Sequence, residues 1–411
     1  MTKMKGLFIN SGINILGLIM PIFAGVIFTP LLLSNLGDDN FGRLMIIFAL
    51  VSYSGVLDMG IGRVATLYLS KEKIISEFSS KSEFISFLMA VLIKLSFFIL
   101  VVGFFIVCFL FDEYMFAYFW ILLCIPSVLF SSLFKGVLEA NEKFITLNMI
   151  RVPFGVFVFL GPYLATVFHG GNLNYVAFYI FIVRLFFCVI YGHFSLAEYV
   201  VNYRYKASFN LFNIYKNSFW ITVSNTLSPL VGYLDRFVIA SFLTFSSVSY
   251  YTVPQELITK LWIIPTALTS VLFPLVIKSI ANKESYDFTI KLMVLLSFIL
   301  CPVLTFIYFF SYDILALWIS KEFSISSFQY LKIFCIGIYF NCLAQLLFTY
   351  IQGRGGVKST GVLCLIEIPL YLMLLVLLTH FYGLLGIAVS WTIRMVLDFF
   401  ALFYLGKKMH V

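Results

Sequence analysis

FISFLMAVLIKLSFFILVVGFFIVCFLF, residues 84–111, carries a single charged side chain, Lys94, in an otherwise apolar run. About 20 such residues in helical form span the roughly 30 Å of hydrocarbon in a bilayer. A membrane β-strand would be shorter and would alternate apolar with polar residues, which this run does not do. The stretch therefore reads as a transmembrane helix, and similar stretches recur along the whole chain. Of 411 residues, 62% are apolar and only 11% are charged. A soluble domain carries roughly 25% charged residues to hydrate its surface. This composition excludes a water-soluble globular fold and leaves enough polar residues only for connecting loops.

Turn residues divide the chain into twelve spans, near 7–33, 43–69, 84–111, 115–138, 145–168 and 174–199, then 217–242, 247–277, 289–311, 325–351, 359–379 and 383–405. Lys and Arg accumulate on the cytoplasmic side of such proteins. With the N-terminus inside, the inner segments hold 16 basic residues and the outer loops hold one, Lys321. The sequence thus predicts an all-α membrane protein of 12 transmembrane helices with both termini cytoplasmic. The net charge of +8 follows from this topology, and nucleic acid is not needed to explain it. The basic segment 201–216 separates two six-helix lobes, 1–200 and 217–411. Six is an even number, so the two lobes enter the bilayer alike and a duplication would be a parallel pseudo-two-fold repeat. Pro21 and Pro229, each 11 residues after a polar residue (Asn10, Ser218), echo one another across the lobes. The seven cysteines all lie in apolar segments without metal-ligand spacing, and the four histidines are scattered. No metal site, cofactor site or catalytic triad emerges, and the short outer loops offer little to hold an enzyme's acceptor.

Charges at bilayer depth are expensive and mark pairs or wet cavities. Three can pair at i,i+4 on their own helix: Lys135 with Glu139, Glu256 with Lys260, and Arg394 with Asp398. Lys94, Arg151, Arg184, Asp235, Arg236, Lys332 and Glu367 lack such a partner. Asp235 and Arg236 are adjacent and so point about 100° apart on a helix. Arg184 falls near the bilayer centre, where it meets either a carboxylate from another helix, Glu367 being one, or an anion in a wet cavity. Arg63 lies near the inner end of its span and reaches water. All eleven prolines fall inside predicted spans, three of them in span 8, as hinges or as static kinks.

LGDDNFG at 36–42, followed by LDMGIGR at 57–63, resembles the opening of the Wzx-type O-antigen and polysaccharide flippases. These belong to the multidrug/oligosaccharidyl-lipid/polysaccharide exporter superfamily. YYTVPQELITK at 250–260, Pro265 and SVLFPLV at 270–276 are similar to the eighth helix of that family. The resemblance implies two lobes in a V around a central cavity lined by spans 1, 2, 7 and 8. Its cargo would be an oligosaccharide on undecaprenyl pyrophosphate, crossing the bacterial inner membrane outward. It places Asp58, Gly60 and Arg63, and Tyr251, Pro254, Glu256 and Lys260, near that cavity. Candidate cargo-binding cations are Arg184, Arg236, Lys260, Arg63 and Arg394, because a guanidinium fork takes two phosphate oxygens at once. Asn14, Asn225, Tyr233 and Trp262 offer polar and aromatic walls for sugar. Asp58, Asp235, Glu256 and Glu367 are candidates to carry a coupling proton or sodium ion. Partners implied are the bilayer itself and the polymerase and chain-length regulator of the same pathway. The alternatives are a drug or cation antiporter of the superfamily and a membrane-embedded glycan polymerase or ligase.

Overall fold

A computed structural model describes residues 2–58, 60–70, 80–110, 115–200, 231–278 and 282–410. Every element among them is helical. We number the α-helices α1 (Thr2–Ser54), α2 (Ile61–Ser70), α3 (Lys81–Leu110), α4 (Met115–Ala140), α5 (Phe144–His169), α6 (Leu173–Leu196), α7 (Leu234–Phe242), α8 (Phe245–Thr259), α9 (Ile263–Lys278), α10 (Asn282–Phe309), α11 (Ser311–Trp318), α12 (Lys321–Gly353) and α13 (Val357–His410). Eight helices among the described residues are long and apolar enough to cross a membrane. The chain forms two compact units, Met1–Asn40 with Ile47–Thr222, and Phe41–Ile46 with Val223–Val411. The predicted linker 201–216 and Pro229 lie outside the described residues.

The two longest helices are hairpins. In α1, Gly37 takes a φ of 72°, and Gly25 and Phe48 on its two sides both lie against the Phe159 ring of α5. In α13, Gly383 takes a φ of 59°. The legs on either side of it run antiparallel, since Ser390 donates to the Leu374 carbonyl at 3.1 Å and Arg394 lies over the Tyr371 ring. Backbone of this hand strains any residue with a Cβ, and glycine adopts it freely.

Within the first unit, α4 is central: 56% of its most apolar window is buried, against 17% for α3. The rest of α3 presents Phe97, Phe98 and Phe109 outward, which water would penalise and lipid accepts. Apolar burial hardly drives helices together in lipid, so close contact between small residues takes over. On α2 and α4, Gly62 and Thr66 face Ser132 and Gly136, each pair four residues apart. A Cβ on Gly136 would collide with the Gly62 carbonyl. The closeness lets the Thr66 hydroxyl donate to the Gly136 carbonyl at 3.2 Å. Gly62 of the LDMGIGR motif is therefore a packing residue. In the second unit α12 takes the central place, again with 56% burial. Its Gly337 makes room for the Trp391 ring of α13.

Two predicted spans are interrupted: span 2, where a continuous helix was expected, and span 8, where the prolines implied a hinge or kink. Span 2 gives way to a 3₁₀ turn at Gly55–Asp58 and resumes as α2 after Gly60, whose φ is 77°. Span 8 breaks at a 3₁₀ turn, Lys260–Trp262, between α8 and α9. The cause is Pro265, the third residue of α9. It has no N–H for the Leu261 carbonyl, and its ring crowds that carbonyl. The Ile263 N–H turns back instead to the carbonyls of Leu261 and Lys260. The described part of span 7 likewise carries a turn at 232–233 before α7 begins.

Short 3₁₀ pieces inside long helices commonly mark hinges. If this one serves as a hinge, Pro265→Ala restores the missing hydrogen bond and straightens the span. Export measured beside membrane abundance should then slow at normal abundance. Unchanged export would leave the proline a packing residue.

Candidate functional site

In the first unit, two basic side chains from two helices lie over one ring. Lys135 of α4 places its Nζ 5.4 Å from the centroid of Phe154 on α5 and 5.0 Å from that of Tyr191 on α6. Arg184 of α6 holds its Cζ 5.8 Å from the same Phe154 ring. Helical repeat explains the assembly on α6: Arg184, Phe187, Cys188 and Tyr191 fall on one face. Counted from the ends of α6, Arg184 stands about 17 Å from either terminus at 1.5 Å per residue. Arg184 is thus at the middle of its helix.

In the second unit, the adjacent pair Asp235 and Arg236 opens α7. The Asp235 carboxylate is fully buried and accepts from the Tyr251 hydroxyl at 2.7 Å and from the Gln255 amide at 2.8 Å. The first-turn position also favours its negative charge through the helix dipole. Arg236 turns to the next residue along α8 and donates to Glu256 Oε1 at 2.8 Å. It also lies over the Tyr233 ring at 4.7 Å. Lys260 donates to Glu256 Oε2, likewise at 2.8 Å. One carboxylate thus bridges two cations, graded from the buried Arg236 (4% side-chain exposure) to the half-buried Lys260 (27%). Tyr251 is positioned from behind, its ring edge-on to Phe334 of α12, which packs edge-on to Trp391 of α13.

A third group lies inside the α13 hairpin. Arg394 Nε stands 4.0 Å from Glu367 Oε2, and Asp398 hydrogen-bonds to Glu367. The fold-back at Gly383 supplies this contact: residues 367 and 398 are nearly equidistant from it along antiparallel legs.

Of the predicted site residues, the structure brings Asp235, Arg236, Glu256 and Lys260 into one network and Glu367 and Arg394 into another. The i,i+4 pairing of Glu256 with Lys260 is observed, and Asp235 and Arg236 engage different partners as their spacing implied. Glu367, one candidate partner for Arg184, engages Arg394 and Asp398 of its own hairpin. Arg63 is exposed near the start of α2. The side chains of Asp58 and Asn14, and all of Asn225, lie outside the described residues. Lys332 is held between the rings of Tyr308 and Phe328, at 5.5 and 5.1 Å from their centroids. Sequence reasoning missed Phe154 as the ring that gathers cations and Gln255 as a ligand of Asp235. The i,i+4 spacing of Tyr251 and Gln255 was the available signal for the latter.

The helices take the fold of the lipid II flippase MurJ in its inward closed conformation, with a TM-score of 0.75, 15% identity, and 97% of this chain and 87% of that one covered. They match equally an inward-facing multidrug resistance MATE family transporter of the MOP superfamily, with a TM-score of 0.80, 12% identity and 94% of each chain covered. Fold and buried charge together define a multi-pass membrane protein with the transporter fold of the MOP superfamily. No family model matches the sequence. The chain is, however, 30% identical over 412 residues, 97% of each partner, to the "Putative O-antigen transporter" of Shigella flexneri. It belongs to that O-antigen transporter family, as the LGDDNFG and LDMGIGR motifs suggested.

The bridge in the second unit predicts an unequal pair of losses. Glu256→Gln strands the buried Arg236 and should destabilise by about 3–5 kcal/mol. Lys260→Gln removes a half-exposed partner and should cost no more than about 1 kcal/mol. Thermal unfolding of the purified variants checks the ranking, and equal losses would contradict it.

Proposed function

We propose that this protein moves undecaprenyl-pyrophosphate-linked oligosaccharide repeat units from the cytoplasmic to the periplasmic leaflet of the bacterial inner membrane by alternating access. The observation that carries the reading is the end-to-end match to a protein named as an O-antigen transporter. The MurJ fold likeness supports a carrier architecture. In this reading the chain has twelve spans, two six-helix lobes and cytoplasmic termini.

A pyrophosphate sheds much of its hydration on the way across, and buried cations that replace that shell lower the barrier. Arg184, Arg236 and Lys260 are the groups assigned to it, with Arg63 and Arg394 as further candidates. Outward movement of negative charge is also favoured by an inside-negative potential, by about 2.3 kcal/mol per charge per 100 mV. Coupling to protons or sodium would fall to Asp58, Asp235, Glu256 or Glu367, and the pathway's polymerase and chain-length regulator would take over the exported units.

Deleting the gene in its host and analysing glycans tests the reading. Surface polysaccharide should disappear while lipid-linked single repeat units accumulate on the cytoplasmic face. Repeat units that still reach the surface unpolymerised would point to a polymerase or ligase instead. Intact glycan with heightened drug sensitivity would point to a drug antiporter.

A further inference from the structure

Lys94 of α3 is the one charged residue in the 84–111 run, and its neighbours at i±3 and i±4 are Ala90, Val91, Phe97 and Phe98. None of these can pair with it. Among the described residues Lys94 is exposed and has no ion pair, hydrogen bond or ring contact. Its direction follows from the helical repeat. Leu88, Leu92, Ser96 and Val107 form the buried stripe of α3. Gly103 lies on that stripe and leaves no room for a Cβ beside Leu122 of α4. Lys94 falls two residues from both Leu92 and Ser96, about 180° round the helix from the middle of the stripe. It therefore points directly away from α4.

The face around it is apolar. Phe97 and Phe98 are 70% and 65% exposed, and Ile93 and Val101 flank them. Lipid accepts such a surface, but it offers nothing to an ammonium group. Nor is either end of the helix near. Lys94 stands about 20 Å from Lys81 and about 24 Å from Leu110 along α3 at 1.5 Å per residue. Lysine reaches polar headgroups by laying its short stem along the helix, which serves residues near a helix end. A counter-charge for Lys94 has to arrive from the side. Ala90, one turn earlier, is small, and small residues let a neighbouring helix come close.

We propose that the face of α3 centred on Lys94 is a docking surface for a transmembrane helix of another protein, one that carries an ionised Asp or Glu at its middle. The carboxylate would meet the Lys94 ammonium while its helix packs along the Phe97 and Phe98 rings. Charge complementarity selects this occupant. A second copy of the chain fits poorly, because two α3 helices face to face would set Lys94 against Lys94. Its mid-helix carboxylates Glu256 and Glu367 are, moreover, already paired with Arg236 and Arg394. The surface lies within the first unit, on the side of α3 away from α4, and the inference does not rest on the transport reading.

The test uses the full-length chain in phosphatidylcholine liposomes, with photo-crosslinking benzoylphenylalanine in place of Phe97. The probes are synthetic leucine–alanine transmembrane helices that differ only in a central Glu, Gln or Lys. Mildly alkaline buffer keeps the carboxyl ionised. The Glu helix should crosslink about threefold more than the Gln helix, the scale of a polar contact between membrane helices. In Lys94→Leu that difference should vanish, and in Lys94→Glu the preference should pass to the Lys helix. Equal crosslinking of the Glu and Gln helices to the chain with Lys94 intact would overturn the proposal, as would a preference that survives Lys94→Leu. A preference lost on adding phosphatidylglycerol would make a lipid phosphate the occupant and sink the proposal. A chain-to-chain crosslink that excludes every probe would do the same in favour of a second copy. Thermal unfolding followed by circular dichroism guards against misfolding: Lys94→Leu removes a charge from an apolar face and should melt no earlier than its parent. A far earlier melt would make the lysine structural and overturn the docking role. In each of these failures the transport reading stands.

Discussion

The cost of holding a charge inside hydrocarbon governs this protein. An ionised side chain at mid-bilayer must find a counter-charge, an aromatic face or a hydrated path, because lipid supplies none of these. The chain commits Arg184, Lys135, Arg236, Lys332 and Arg394 to its helices, and each sits in one of a few local solutions. Arg236 is bridged to Glu256 at 2.8 Å. Lys332 is wedged between two rings. Arg394 is faced by carboxyl groups across a hairpin. Lys135 and Arg184 lie over the ring of Phe154.

These solutions depend on how the helices are joined and packed. The turn at Gly383 lays the legs of α13 side by side and thereby creates the Glu367–Arg394–Asp398 group. The Trp391–Phe334–Tyr251 stack holds the hydroxyl that donates to Asp235. On the other unit, the small-residue seam between α2 and α4 fixes α4, and with it the direction of Lys135. Removing an aromatic or glycine far from any charge would thus disturb the electrostatics by moving a helix.

Much of this was legible beforehand. Apolar runs with one charge or none, such as 84–111, announce their helices because lipid imposes one length and one polarity on them. The Glu256–Lys260 pair was legible because both residues lie on one helix at i,i+4. The break in span 2 was not foreseen, whereas the three prolines of span 8 had marked that span as able to bend. Hydropathy averages across Gly60, and the rupture there arises from a single φ angle. Nor was the Phe154 cluster legible. Its members lie on three helices, and their convergence depends on helix rotations that interhelical packing decides. The same limit applied to Glu367, whose partner Arg394 became a neighbour only through the antiparallel fold-back.

The claim that buried cations carry a diphosphate group is tested most directly by translocation in proteoliposomes. The measurement is the rate at which a fluorescent polyprenyl-diphosphate saccharide crosses, for Arg184 and its Lys, Gln and Glu variants at matched protein abundance. The account predicts partial retention in Arg184→Lys, which keeps the cation and loses the fork. Arg184→Gln should be slower and Arg184→Glu slower still. Translocation by Arg184→Gln at the wild-type rate would contradict the account. So would a loss that follows protein abundance and is restored by pairing Arg184→Glu with Glu367→Arg.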